Sequence, residues 1–250
     1  MKALAIEFYK TKRRKVWLII AALLFVQLLW SAWATNRMNE HVLQQGWMYF
    51  LYQTPALNAI ILPVIAAVLA SRLSDTEHKG QTFKLLNTLM RPGKLFDAKL
   101  LCGAFYIGVV SVLQVGGLLL IGKLRGVPGE IPIGQYSLHL WFTFCVSSTI
   151  YLLQMTISLL CRNQMIPLVV GLTGSLCGLF LMFLPSGLLQ KVVLWGNYGT
   201  LALVGLDWDI TTRVADFYAV AADWSALGAV VLWFLLIYIA GRTLFVHKEV

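Results

Sequence analysis

The sequence predicts an all-α integral membrane protein of six transmembrane helices, with both termini in the cytoplasm. Three observations carry that expectation. Of 250 residues, 59% are hydrophobic and 12% charged, and the mean hydropathy is +0.75, far more apolar than a soluble domain. Six runs, at about 16–34, 47–70, 100–121, 136–160, 165–185 and 224–240, contain no Asp, Glu, Lys or Arg and come close to the roughly 20 residues a bilayer core requires. The cations are also placed unevenly. With the N-terminus inside, only Arg37, Lys123, Arg125, Lys191 and Arg213 of the 20 Lys and Arg fall outside, as the positive-inside rule demands. The whole chain, 1–250, reads as one transmembrane domain.

The first element, Lys2 to Arg14, is a basic segment with Leu4, Ile6, Phe8 and Tyr9 as apolar contacts. It is expected to form a helix in the membrane interface. The run that follows, ending Ala32-Trp33-Ala34, imitates a signal peptide, but it is long enough to span and is read as retained. Polar residues within the spans are amides and hydroxyls: Gln27, Gln53, Asn58, Gln114 and Gln154. Such groups serve as interhelical hydrogen-bonding glue. Gln53 and Asn58, with Pro55 and Pro63, are placed to shape the second span beside a pathway. No charged group is expected inside a span, which argues against a proton or sodium relay.

The loop Ser71 to Lys99 is longer than a plain connection needs. Ser74-Asp75-Thr76-Glu77 fits a capping box. Phe83, Leu86, Leu89 and Met90 then recur at helical spacing, and Arg91-Pro92-Gly93 is a stop signal. The expectation is a short amphipathic helix from Ser74 to Met90 under the membrane, then a turn and a lead-in helix carrying Lys94, Asp97 and Lys99.

Beyond the fifth span, Ser186 to Asp223 reads as a large extracellular loop. Its first half, 192–206, is apolar but interrupted by Gly196, Asn197 and Gly199, so it is expected to dip into the interface without spanning. Asp207-Trp208-Asp209 reads as a solvated turn. Gly171, Gly174 and Gly178 form a small-residue stripe suited to close packing within the chain.

Several chemistries find no residues to carry them. Cys102, Cys145, Cys161 and Cys177 are scattered without a CxxC pair, indicating neither a zinc site nor a disulfide framework. Gly117 to Lys123 has the skeleton of a phosphate-binding loop, but Leu124 stands where a hydroxyl must hold magnesium. No catalytic constellation or metal-ligand spacing appears, His41 and His139 standing alone. The net charge of +9 serves orientation, and nucleic acid is not an expected partner.

The segment Glu77-His78-Lys79-Gly80-Gln81-Thr82-Phe83-Lys84-Leu85-Leu86, followed by Pro92 and Lys99, resembles the same loop of small six-span permeases of type-2 ATP-binding-cassette exporters. The closest likeness is to the lantibiotic immunity and bacitracin-resistance permeases of Gram-positive bacteria. Glu7-Phe8-Tyr9-Lys10 resembles that family's basic N-terminal helix, and the large loop before the last span matches in position. The resemblance implies a multi-pass protein of the bacterial plasma membrane that catalyses nothing itself. It implies a cytoplasmic ATPase subunit holding ATP and magnesium, a second six-span permease chain, and a peptide antibiotic or other amphipathic substrate expelled from membrane lipid. It also implies that Glu77, Lys79, Gly80, Thr82, Phe83 and Lys84 couple the chain to the ATPase. The competing reading is a membrane sensor or scaffold that recruits a cytoplasmic partner without transport.

Overall fold

A computed structural model describes residues 2–80, 90–185 and 187–247. Of the described residues, 79% are helical. Helix α1 (Lys2–Arg13) is followed by α2 (Val16–Ala34) and, after a 3-10 turn, the short α3 (Glu40–Gln44). Then come α4 (Gly46–Gly80), α5 (Pro92–Leu124), α6 (Ile133–Leu160) and α7 (Met165–Leu181). Two short helices, α8 (Leu188–Val192) and α9 (Asn197–Thr200), precede the strands β1 (Val204–Asp209) and β2 (Val214–Ala219); α10 (Trp224–Val246) is the last element. Among the described residues, α2, α4, α5, α6 and α10 are long and apolar enough to cross a membrane. Helix α7 has 17 residues, a rise of about 26 Å against a hydrocarbon core of about 30 Å.

Helix α4 is the centre of the bundle, packing chiefly on α6 and α7, while α10 leans on α6. Its two internal prolines, Pro55 and Pro63, each remove a backbone donor, which a packed membrane helix tolerates when neighbours re-satisfy the freed groups. Close approach comes from glycine. A Cβ on Gly103 of α5 would lie 1.9 Å from the ring of Tyr151 on α6, so the aromatic ring fills the space a side chain would take. Likewise Gly174 and Gly178 of α7 receive Trp195, and Gly171 faces Ala67 of α4; the small-residue stripe packs within the chain.

Four expectations are corrected. No helix starts at Ser74: α4 runs unbroken from Gly46 to Gly80, and the Ser74 hydroxyl is buried without a partner. A cap stabilises only an end, and nothing between Ala70 and Gly80 breaks the helix. Residues 74–80 of the expected amphipathic helix therefore extend the second span, and 81–89 lie outside the described residues. Similarly, the lead-in to the third span is no separate helix, because Pro92 occupies the first turn of α5, which continues to Leu124.

The outer loop, in which Asp207-Trp208-Asp209 is expected to be a solvated turn, contains an antiparallel β1–β2 hairpin with Asp207 paired to Asp216. Asp207-Trp208-Asp209 is thus the end of a strand. The segment before it is not merely interfacial: Leu194, Tyr198, Leu201 and Leu203 belong to the main core, and the Tyr198 hydroxyl lies 2.8 Å from that of Ser147 on α6. Burial of these side chains gives the short helices the tertiary support that their length denies them. Asp223 caps α10, accepting from the backbone of Ser225 and Ala226, and its carboxyl is held down at about 2 by the Lys191 ammonium and the Ser225 hydroxyl.

The glycine contacts make a paired prediction. Gly103→Ala overpacks the α5–α6 seam and lowers stability by about 1–3 kcal/mol. Gly116→Ala, with nothing within 4 Å of the added carbon, does not. Thermal unfolding of both variants in the same detergent separates the two outcomes.

Candidate functional site

The end of the bundle that carries α1 holds a group of charges of which three are buried and the fourth, Lys10, is partly accessible. Glu7 and Lys99 are 0% exposed and Glu77 is 1% exposed. Lys99, on α5, donates from Nζ to Glu7 Oε2 at 3.1 Å, to Glu77 Oε1 at 2.9 Å and to the Leu73 carbonyl at 2.6 Å. All three ammonium donors are used. Lys10 donates to Glu7 Oε1 and to Glu77 Oε1, each at 2.6 Å. Two carboxylates and two ammonium groups thus neutralise one another while joining α1, α4 and α5.

Local sequence accounts for each position. Glu7 and Lys10 stand one helical turn apart on α1, and Leu4 and Phe8 on the same helix pack against the main core, turning Glu7 inward. Glu77 is reached because α4 does not stop at Ser74. Two neutral bonds flank the group: Thr11 and Tyr106 hydroxyls lie 2.9 Å apart, and Tyr151 donates to the Lys99 carbonyl at 2.9 Å. Outside it, Asp75 accepts from Arg14 at 3.2 Å and pairs with Lys79 at 3.0 Å. At the start of α5, Asp97 accepts from Tyr238 and Arg242 of α10 at 3.0 and 3.2 Å. The first turns of α5 are therefore tied to α1, α4 and α10 at once.

Glu77 on α4 and Lys99 on α5 correct the expectation that no buried carboxylate or cation lies within the spanning helices. Lys99, read as a charge flanking a span, lies within α5 and is buried against α1 and α4. Breaking such a pair leaves an uncompensated buried charge.

The sequence-predicted coupling residues are distributed as follows. Glu77 is inside the cluster, facing the protein's own lysines. Lys79 is exposed apart from its bond to Asp75, its side chain 76% accessible, and Gly80 is the last described residue of α4. Thr82, Phe83 and Lys84 lie outside the described residues. Of the two pathway residues, Gln53 is half-buried with no partner for its side-chain nitrogen. Asn58 is fully buried: its Oδ1 accepts from Gln27 at 2.8 Å and from Gln114, and its Nδ2 donates to Thr143 at 3.3 Å. One amide thereby joins α2, α4, α5 and α6, and with His139 and Tyr198 it lines a small cavity. The Gly117-to-Lys123 skeleton is part of α5, where Gly117 faces Leu28 and Gly122 faces Trp47, so its glycines serve helix packing.

What sequence reasoning missed is the convergence of Glu7, Lys10, Glu77 and Lys99. A signal was present: Glu7 is the only acid in the first 39 residues, and Lys99 is the last charge before a long apolar run.

A bundle of long apolar helices with a charge-balanced joint at one end defines a multi-pass membrane protein in which buried charges position helices. The chain belongs to the ABC-2 family of transporter proteins: the model of the ABC-2 family transporter protein matches residues 3–178. The match runs from α1 into α7 and includes all four charges of the joint. Membership implies partnership with an ATP-binding-cassette ATPase. No curated protein and no solved structure matches the chain.

Two outcomes test the joint. Glu77→Gln leaves Lys99 and Lys10 to share Glu7 and costs about 3–5 kcal/mol, read as a lower unfolding midpoint. For Lys10, burial alone would depress the ammonium, but Glu77 and Glu7 outweigh it and hold it above its ordinary 10.5. A raised folded value means that its stabilisation is complete below about pH 10.5 and disappears as pH rises through the folded value. Melting midpoints measured from pH 8 to 11.5 are expected to be flat up to about pH 10 and then to fall, with the alkaline fall diminished in Lys10→Met.

Proposed function

We propose that this chain is the permease subunit of an ATP-driven exporter that removes a lantibiotic or related peptide antibiotic from the plasma membrane of a bacterium. In this reading two cytoplasmic ATPase subunits hold ATP and magnesium, and a second six-span permease chain completes the path. The end bearing α1 faces the cytoplasm, and α7 is the sixth crossing.

The buried joint of Glu7, Lys10, Glu77 and Lys99 is the observation that supports the reading. Two of its members, Glu77 and Lys99, lie before and after residues 81–89, the segment whose sequence resembles an ATPase-docking element. Thr82, Phe83 and Lys84 would make the docking contact, with Lys79 and Gly80 at its edge. Glu77 acts behind them as a positioning residue. When ATP binding and hydrolysis change the separation of the ATPase subunits, a push on 81–89 is delivered to α4, α5 and α1 together. The movement is then a rigid-body displacement of spans.

Phe83→Ala tests the docking role, because it removes an anchor without touching any described contact. Reconstituted with its ATPase, this variant is expected to lose about tenfold of its substrate-stimulated ATP hydrolysis, a change of ~1.4 kcal/mol in barrier, while keeping the wild-type melting midpoint. Unchanged stimulation and unchanged ATPase binding would overturn the coupling assignment. ATPase binding without ATP-dependent movement of a peptide antibiotic would make the chain a scaffold instead.

A further inference from the structure

We infer that the chain carries a built site for one anionic phospholipid, in a groove between α2, α4 and α7 at the end of the bundle that bears α1. The site stands on its own geometry and does not depend on which compartment that end faces. The groove, open on one side, has a volume of about 350 Å³. Helix α4 is its floor, Ile19 of α2 forms one wall, and Leu168 of α7 forms the other.

The floor changes character along its length. Val68, Arg72, Asp75 and Lys79 all line the groove, and their spacing of four, three and four residues keeps them on one face of α4. From Val68 to Lys79 that face rises about 16 Å, passing from apolar to charged. Ile19, Val68 and Leu168 line the apolar end, as an acyl chain requires. Arg72 and Lys79 stand at the other end, at the depth of a headgroup.

The charge balance selects the headgroup. Asp75 is the one carboxylate lining the groove, and it is already shared between Arg14 and Lys79. Among the described residues Arg72 has no ion-pair partner, and its side chain is exposed. Three cations around one carboxylate leave two positive charges in surplus. A basic pocket between membrane helices, opening near the lipid surface, attracts an anionic headgroup. Arg72 supplies a planar fork that matches phosphate oxygens in pairs, and Lys79 a mobile point charge. A zwitterionic lipid supplies the same chain and phosphate but adds a cation that these residues repel.

The test is native mass spectrometry of the full chain, with whatever subunits accompany it, after incubation with equimolar phosphatidylglycerol and phosphatidylcholine. Wild type is expected to retain phosphatidylglycerol preferentially. Arg72→Gln and Lys79→Gln are each expected to weaken that preference about fivefold, and Asp75→Asn to strengthen it similarly. Leu168→Trp, which fills the apolar end and leaves every charge in place, is expected to lower retention of both lipids. Because Lys79 is exposed, Lys79→Gln remains informative even if another variant fails to fold. Equal retention of the two lipids by wild type would overturn the proposal. So would a preference that survives both cation substitutions, or a crosslink from Leu168→Cys to a partner polypeptide seated in the groove. None of these readouts involves ATPase activity, so the lipid site and the exporter reading fail separately.

Discussion

Three buried charges, Glu7, Glu77 and Lys99, with Lys10 at their edge, hold one end of this protein together. An ammonium group taken into an apolar bundle is tolerable only when each of its protons finds an acceptor, and Lys99 meets that requirement with one oxygen from each of three residues on two helices. The requirement propagates outward. Glu7 must face inward, which fixes the rotation of α1; Glu77 must reach Lys99, so α4 must continue past Ser74; and Lys99 must lie within α5, so that helix must begin early. Replacing the group by apolar side chains of equal volume would cost little or even stabilise the fold, so bulk stability does not explain why charge is used. Ion pairs are directional, and they hold three helix ends in one register where apolar packing alone would permit sliding.

Much of the bundle was legible from hydrophobicity. The five helices able to cross a membrane coincide with predicted runs, and their cores were visible because charge is excluded from lipid over a known length. The ends were less legible. Ser74-Asp75-Thr76-Glu77 satisfies the local rule for a helix start, but a local rule knows nothing of Lys99, twenty-two residues onward and on another helix. The same ignorance of tertiary context hid the hairpin: Val204 to Ala219 carries no tight-turn signal, and its docking depends on Gln45, whose side chain accepts from the Phe217 backbone at 2.7 Å. Residues 192–206 read as interfacial because Gly196, Asn197 and Gly199 interrupt them. Yet those interruptions bring Trp195 against the glycines of α7, a match visible only once both segments are placed.

The candidate site was legible in its members and not in its assembly. Resemblance singled out Glu7, Lys10, Glu77 and Lys99 separately, as parts of two distant motifs. Charge-pair logic alone does not choose among 11 acids and 20 bases; helix phase does, and helix phase depends on where α4 and α5 begin and end. By contrast, the amide network was anticipated in kind. Asn58 is expected as a bonding residue or a pathway residue, and at the crossing of four helices it makes the bonds of the first role.

The continuity of α4 has a further consequence for how this chain can vary. Asn58, at the mid-bundle crossing, and Glu77, at the charged joint, lie on one uninterrupted helix, with no turn or loop between them to absorb a change of length. A single residue inserted or deleted there would rotate one end against the other by about 100° and shift it by about 1.5 Å. One of the two polar groups would then turn toward lipid. Substitutions along this stretch face only local tests of size and polarity, whereas length changes face a global one, met only by steps close to whole turns. The helix therefore acts as a ruler between two polar nodes.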